Sequence, residues 1–127
     1  MKKIIISIFA FMAILSANDS AKEIFMNKCA VCHTMGKPNH QTAVAPPARG
    51  VMFHMNEHFA NDKEMIQDHI NDFVLNPSKD RAICKSVRRF GVMPSQKGNI
   101  TKEELAKVAV WMTEHLGGMT HKEHNKK

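Results

Sequence analysis

The apolar positions of this chain form one solid run at the start and several helix-spaced sets further on. Ile4 to Leu15 is almost wholly apolar. Met1-Lys2-Lys3 precedes it, and Leu15-Ser16-Ala17 leads into the polar pair Asn18-Asp19. That is the layout of a secretory signal peptide over residues 1–17, cleaved after Ala17. A run of about 12 residues falls short of the about 20 that a spanning helix takes; an uncleaved membrane anchor is the other reading. Residues 18–28 predict a first helix, capped by Asp19 or Ser20, with Ile24 and Phe25 at helical spacing. Residues 36–60 predict mostly loop, because Pro46 and Pro47 lack amide donors and restrict the residues before them. An apolar patch follows at Val51, Met52 and Phe53.

A second helix is predicted from Asn61 or Asp62 to about Leu75, where Met65, Ile66, Ile70, Phe73 and Val74 recur every three or four positions. Asn76-Pro77 ends it. Ser78 caps a predicted third, shorter helix through about Arg88, with Ile83, Cys84 and Val87 on one face. The stretch from Phe90 to Ser95 breaks the pattern, and Gly98-Asn99 marks a turn. The last helix has the clearest start: Thr101 and Glu104 form a capping box, with Ile100 and Leu105 placed as a hydrophobic staple. Leu105, Val108, Ala109, Trp111 and Met112 make its apolar face, and Gly117-Gly118 stops it. Residues 119–127 read as a polar tail. With no strand signal, repeat or internal boundary, the expectation is a single all-α domain over residues 18–118.

Charge and size narrow this further. The 127 residues carry a formal net charge of +6, and removing residues 1–17 takes away Lys2 and Lys3 and no acid, leaving +4. A modest positive charge suits docking to acidic protein faces. The basic residues are scattered, with no aromatic stripe and no glycine-rich phosphate loop, so nucleic acid is not indicated. The roughly 110 residues left after cleavage can bury only a modest core of their own.

The chemistry is concentrated in Cys29-Ala-Val-Cys32-His33, the C-x-x-C-H pattern of covalent haem c attachment. Two thiols three positions apart can add to the two vinyl groups on one haem edge. The adjacent histidine then binds the iron. A chance match, a zinc half-site and a redox dithiol share the pattern. Zinc needs two more regularly spaced ligands, and a thioredoxin-like dithiol needs βαβ patterning; neither is visible. With Cys29 and Cys32 on one haem, Cys84 is left over, either as a buried small residue or as a thiol able to pair between chains.

A haem iron held by His33 has a second axial position. Of ten methionines, Met93 stands out: it lies 60 residues after His33, in a Gly-Val-Met-Pro loop stiffened by Pro94. Met65 and Met112 sit at helix-core spacing, Met26 in the first helix, Met12 in the signal, and Met35, Met52, Met55 and Met119 in loops or the tail. His40, His54, His58 and His69 read as surface or loop histidines that could replace methionine on the iron. His115, His121 and His124 lie at or beyond the last helix.

Over about residues 19–116 the chain resembles the class I, single-haem cytochromes c. Phe25 lies four residues before Cys29, where that family carries an aromatic. Ala45-Pro46-Pro47-Ala48-Arg49-Gly50 resembles its Gly-Pro-x-Leu-x-Gly loop, Met93-Pro94 its axial-methionine loop, and Trp111 its last-helix aromatic. The resemblance implies a small cytochrome c fold of about four helices around one haem c. In it, Pro46 offers its carbonyl to the ring N–H of His33, and Phe25 and Trp111 pack the first helix across the last. Ala45, Ala48 and Ala21 depart from the usual Gly, Leu and Gly. The segment around Cys84 and Arg88-Arg89-Phe90 lies outside the general pattern, and Arg88 or Arg89 either pairs with a haem propionate or faces solvent.

The expectation that follows is an exported periplasmic monomer carrying single electrons, with no catalytic residue and no small-molecule substrate. Lys37, Lys85, Arg88, Arg89 and Lys97 would steer it to acidic redox proteins or membrane respiratory complexes. Two alternatives use the same residues: a haem sensor or catalyst with a displaceable sixth ligand, and a fixed electron-transfer subunit of a larger oxidoreductase.

Overall fold

The computed structural model describes residues 20–118; the expected signal peptide, residues 1–17, and tail, residues 119–127, lie outside them. The described residues are helical and contain no strand. Helix α1 covers residues 20–28. It is followed by α2 (Ala48–His58), α3 (Lys63–Phe73), a 3₁₀ turn (Lys79–Arg81), the short α4 (Val87–Phe90) and α5 (Lys102–His115). The all-α expectation holds. Among the described residues no helix is long and apolar enough to cross a membrane.

The core sits where α1 and α3 pack on α5. Phe25 and Trp111 meet with ring centroids 5.2 Å apart, tilted 38°, and both are buried. Ala21, one turn earlier on α1, is buried as well. From α3, Ile66 and Ile70 join the same cluster as Leu105, Val108, Ala109 and Met112 of α5. The capping box forms as expected: Glu104 N donates to Thr101 Oγ1 at 3.1 Å, and Thr101 N to Glu104 Oε2 at 2.9 Å. Ile100 and Leu105 are both buried, as a staple requires.

Three expectations are corrected. Residues 48–58 are helix, not loop. Pro47 stands at the N-cap, where the missing amide costs nothing, and Ala48, Met52 and Met55 at i, i+4 and i+7 turn into the core. Met52 and Met55 are therefore core residues, whereas Met65 points outward at 52% exposure. The third helix is broken. Ser78 makes no side-chain cap, Ala82 is extended, and only one 3₁₀ turn forms before α4. Arg81 is drawn back onto the end of α3, pairing with Asp72 and donating to Asn76 O at 3.2 Å. Helix α5 ends at His115, with Leu116 at the C-cap just before Gly117-Gly118, as expected. Gly117 also allows close approach: a Cβ there would lie 3.1 Å from Asn56 Nδ2, whose amide donates to Gly117 O at 3.3 Å.

Between α2 and α3 the chain turns through two left-handed residues, Ala60 (φ 51°) and Asn61 (φ 63°). Asn61 N reaches back to Asn56 O at 2.9 Å, the long bond of a Schellman ending. Asp62 then caps α3, accepting from Met65 N at 3.0 Å.

Candidate haem site

Helix α1 runs directly into the cysteine motif. Cys29 N and Ala30 N both donate to Phe25 O, and His33 N donates to Cys29 O at 2.8 Å. One further helical turn thus carries Cys29, Cys32 and His33. Residues three and four apart share a face of such a turn, as joint attachment to one haem edge requires. The three cysteines are free. Burial pushes the Cys29 thiol up to about 11, with Lys28 pulling down and Cys32 adding to the rise. A thioredoxin-like dithiol would sit in βαβ structure, and the described residues contain no strand. Among the described residues no three His, Cys, Asp or Glu side chains gather as for a metal ion.

His33 is held from behind. Its Nδ1–H donates to Pro46 O at 2.8 Å, which leaves Nε2 as the imidazole's free ligand atom. Burial lowers its pKa, against the opposing pull of the Pro46 bond; a neutral ring is the form that binds iron. Ala48 N donates to Thr34 O at 3.0 Å, closing the loop between motif and α2 at a second point. Pro46 and His33 therefore stand together as the sequence resemblance implied. A neutral, oriented imidazole beside two thiols on one turn fits a covalently attached haem. Cys29 and Cys32 would hold the porphyrin, and His33 Nε2 the iron.

Met93 is half-buried on a separate strap between α4 and α5. Gly91 at φ 76° opens the strap. Its far end is pinned to the C-terminal end of α3, where Ser95 Oγ donates to Leu75 O at 2.6 Å and Gln96 N to Val74 O at 3.0 Å. The other described methionines divide cleanly: Met52, Met55 and Met112 are buried, Met35 is partly buried against the core, and Met26 and Met65 are exposed. Among the other described histidines, His40 is exposed, and four have neighbours of their own. His54 pairs with Glu57 at 3.4 Å, His58 and His69 sit in a ring series with Phe59 and Phe73, and His115 stacks on Trp111. Cys84 is half-buried, and burial pushes its thiol up to about 11.

Two contacts near the site have no signature in the sequence. Lys28, next to Cys29, donates to Asn99 O at 2.8 Å and to Glu104 Oε2 at 2.9 Å, bracing the motif against the start of α5. Arg89 donates to His40 O and lies over the Phe90 ring, 5.0 Å from its centroid. Its guanidinium is thus engaged by the chain itself, although Arg89, like Arg88, is exposed.

A helical domain with a Cys-x-x-Cys-His turn and a proline-clasped histidine is a cytochrome c domain. The chain belongs to the family described as cytochrome c oxidase, cbb3-type, subunit III, whose model matches residues 16–112. That places it with the class I, single-haem cytochromes c, and the family implies haem c and a haem-based electron-transfer role. An uncharacterized protein of Aquifex aeolicus (strain VF5) is 23% identical over 132 aligned positions, covering 88% of this chain and 86% of its own. No solved structure gives a significant match.

Proposed function

We propose that this chain carries single electrons through one haem c, attached by Cys29 and Cys32 and bound axially by His33 and Met93. The observation that carries the reading is the 2.8 Å bond from His33 Nδ1 to Pro46 O, which orients the ring and makes it a better donor. When bound, the haem supplies a one-electron Fe(III)/Fe(II) couple. The chain's part would be to hold the iron through His33 and Met93, keep water away and change shape little. His33 is fixed by its clasp; Met93 is fixed by a strap anchored on α3. A thioether opposite an imidazole favours the reduced state relative to two imidazoles.

Val31, Val44 and Val92 are exposed, and each lies within two residues of His33, Pro46 or Met93 in the chain. Lys37, Lys85, Arg88, Arg89 and Lys97 are exposed as well. Such a surface suits brief docking to acidic redox partners or membrane respiratory complexes. Export to the periplasm and a monomeric carrier complete the reading. A fixed subunit is the second reading, favoured by the family description itself, which names a subunit of an oxidase.

Denaturing extraction and intact mass of the exported protein test the attachment. Haem remaining on the unfolded chain, reduced to one thioether in Cys29→Ser or Cys32→Ser and lost in the double variant, is the expected result. Complete extraction of haem from the wild-type chain contradicts it. Recovery of a tagged chain from solubilised membranes separates carrier from subunit: a stoichiometric oxidase partner supports the second reading.

A further inference from the structure

We infer that Arg89 is a positioning residue for Met93: it ties the methionine strap to the tip of the loop behind His33. The inference rests on the proposed His33/Met93 ligation. The loop over residues 34–46 is closed at its neck by the His33–Pro46 and Ala48–Thr34 bonds. His40 lies near the middle of that loop, and its carbonyl accepts from Arg89. The neck and the tip thus hold different things: one the histidine, the other the segment leading to the methionine.

The strap shows why such a tie matters. Downstream of Met93, Ser95 and Gln96 hold two carbonyls at the end of α3. Upstream, α4 is a single turn with no side-chain cap. Gly91 then breaks the helix with a positive φ and supplies a flexible joint two residues before Met93. Arg89 precedes that joint and makes the long-range bond that fixes the upstream half. The Phe90 ring under the guanidinium limits the directions in which it can reach. Met93 thus lies on a segment tied on one side to the His40 loop and on the other to the end of α3. With the upstream tie cut, the strap can swing about Gly91 while its downstream end stays pinned.

The acceptor is a backbone carbonyl, so the test changes Arg89 and leaves His40 as a control. The haem-loaded wild type, Arg89→Ala, Arg89→Lys, Arg88→Ala and His40→Ala are compared. The readouts are the far-red methionine–iron band of the oxidised form against rising pH, the rate of carbon monoxide binding to the reduced form, and the reduction potential. Circular dichroism checks the helices. A charge-assisted bond at an exposed site is worth up to about tenfold in the open population. Arg89→Ala is therefore expected to bind carbon monoxide about five- to tenfold faster than wild type. It should also lose the far-red band at lower pH. Arg89→Lys falls between, and Arg88→Ala and His40→Ala match wild type.

If wild type shows the band and Arg89→Ala behaves like Arg88→Ala, the tie has no hold on Met93 and the inference is overturned, with the ligation intact. A change in reduction potential alone, with band and carbon monoxide rate unmoved, overturns it too and puts the guanidinium on a haem propionate. A wild type with no methionine band overturns the ligation and the inference together.

Discussion

The contact between Phe25 and Trp111 is the joint on which the haem motif hangs, and its energy is open to direct measurement. Phe25 is 1% exposed and Trp111 5%, so both rings are essentially removed from water. Truncating either to alanine costs about 3–5 kcal/mol. That is a large share of the 5–15 kcal/mol typical of a small domain. A cycle is therefore better built from Phe25→Leu and Trp111→Leu. At about 25 cal/mol per Å² and about 50 Å² of apolar area lost, Phe25→Leu costs about 1–1.5 kcal/mol. Trp111→Leu costs more, because the larger ring leaves a cavity and also loses its stack with His115, whose centroid lies 5.5 Å away. Aromatic pairs at 5.2 Å, tilted, add about 0.5–1.5 kcal/mol beyond area. The double variant should therefore be less destabilised than the two single changes added together, by about that amount. Urea unfolding of the haem-loaded protein, followed by circular dichroism, gives all four stabilities. Strict additivity, within about 0.3 kcal/mol, refutes the argument that this ring pair couples α1 to α5.

Further outcomes follow from particular residues. Ala60 holds a left-handed conformation at φ 51°, which costs a side-chain-bearing residue about 1–2 kcal/mol. After the entropy that glycine adds to the unfolded chain, Ala60→Gly should stabilise by about 0.5–1 kcal/mol in urea unfolding. The Glu104 carboxyl is held below its ordinary value of 4.5, first by the Lys28 hydrogen bond and then by the Thr101 amide. Its folded pKa is depressed, so its contribution is complete above the unfolded value and is lost as pH falls through the folded one. Lys28→Met should therefore flatten the stability–pH curve below pH 4.5, and an unchanged acid limb contradicts the brace. The Cys84 thiol, pushed up to about 11 mainly by burial, should react with a maleimide at neutral pH about a hundredfold more slowly than a free cysteine. Cys84→Ala should leave the haem spectrum unchanged.

The parts of this molecule that sequence made legible are those set by local rules. Thr101 and Glu104 declare the start of α5 because a capping box is closed within four residues. The spacing of Ile66, Ile70 and Phe73 declares α3. The pairing of His33 with Pro46 came from resemblance to a known family, and the hydrogen bond bears it out. Helix α2 was hidden because Pro46-Pro47 reads as loop, although a proline at the N-cap stops nothing downstream. The apolar spacing of Ala48, Met52 and Met55 carried the correct signal. The third helix misled for the opposite reason: Ile83, Cys84 and Val87 mimic a helical face, while Arg81 folds back onto Asp72 and breaks the run. The ties from Lys28 to Asn99 and from Arg89 to His40 end on backbone carbonyls. Any residue supplies a carbonyl, so no residue type at the acceptor position announces such a tie.

The central claim is that His33 and Met93 close the iron between them. Absorption spectra of the exported, haem-loaded protein, oxidised and reduced, with carbon monoxide added to the reduced form, test it most directly. The account predicts a far-red methionine–iron band in the oxidised form, absent in Met93→Ala, and slow carbon monoxide binding that becomes fast in that variant. Rapid binding to the wild type, with no methionine band, contradicts a closed carrier and makes this a haem with an open position for sensing or catalysis.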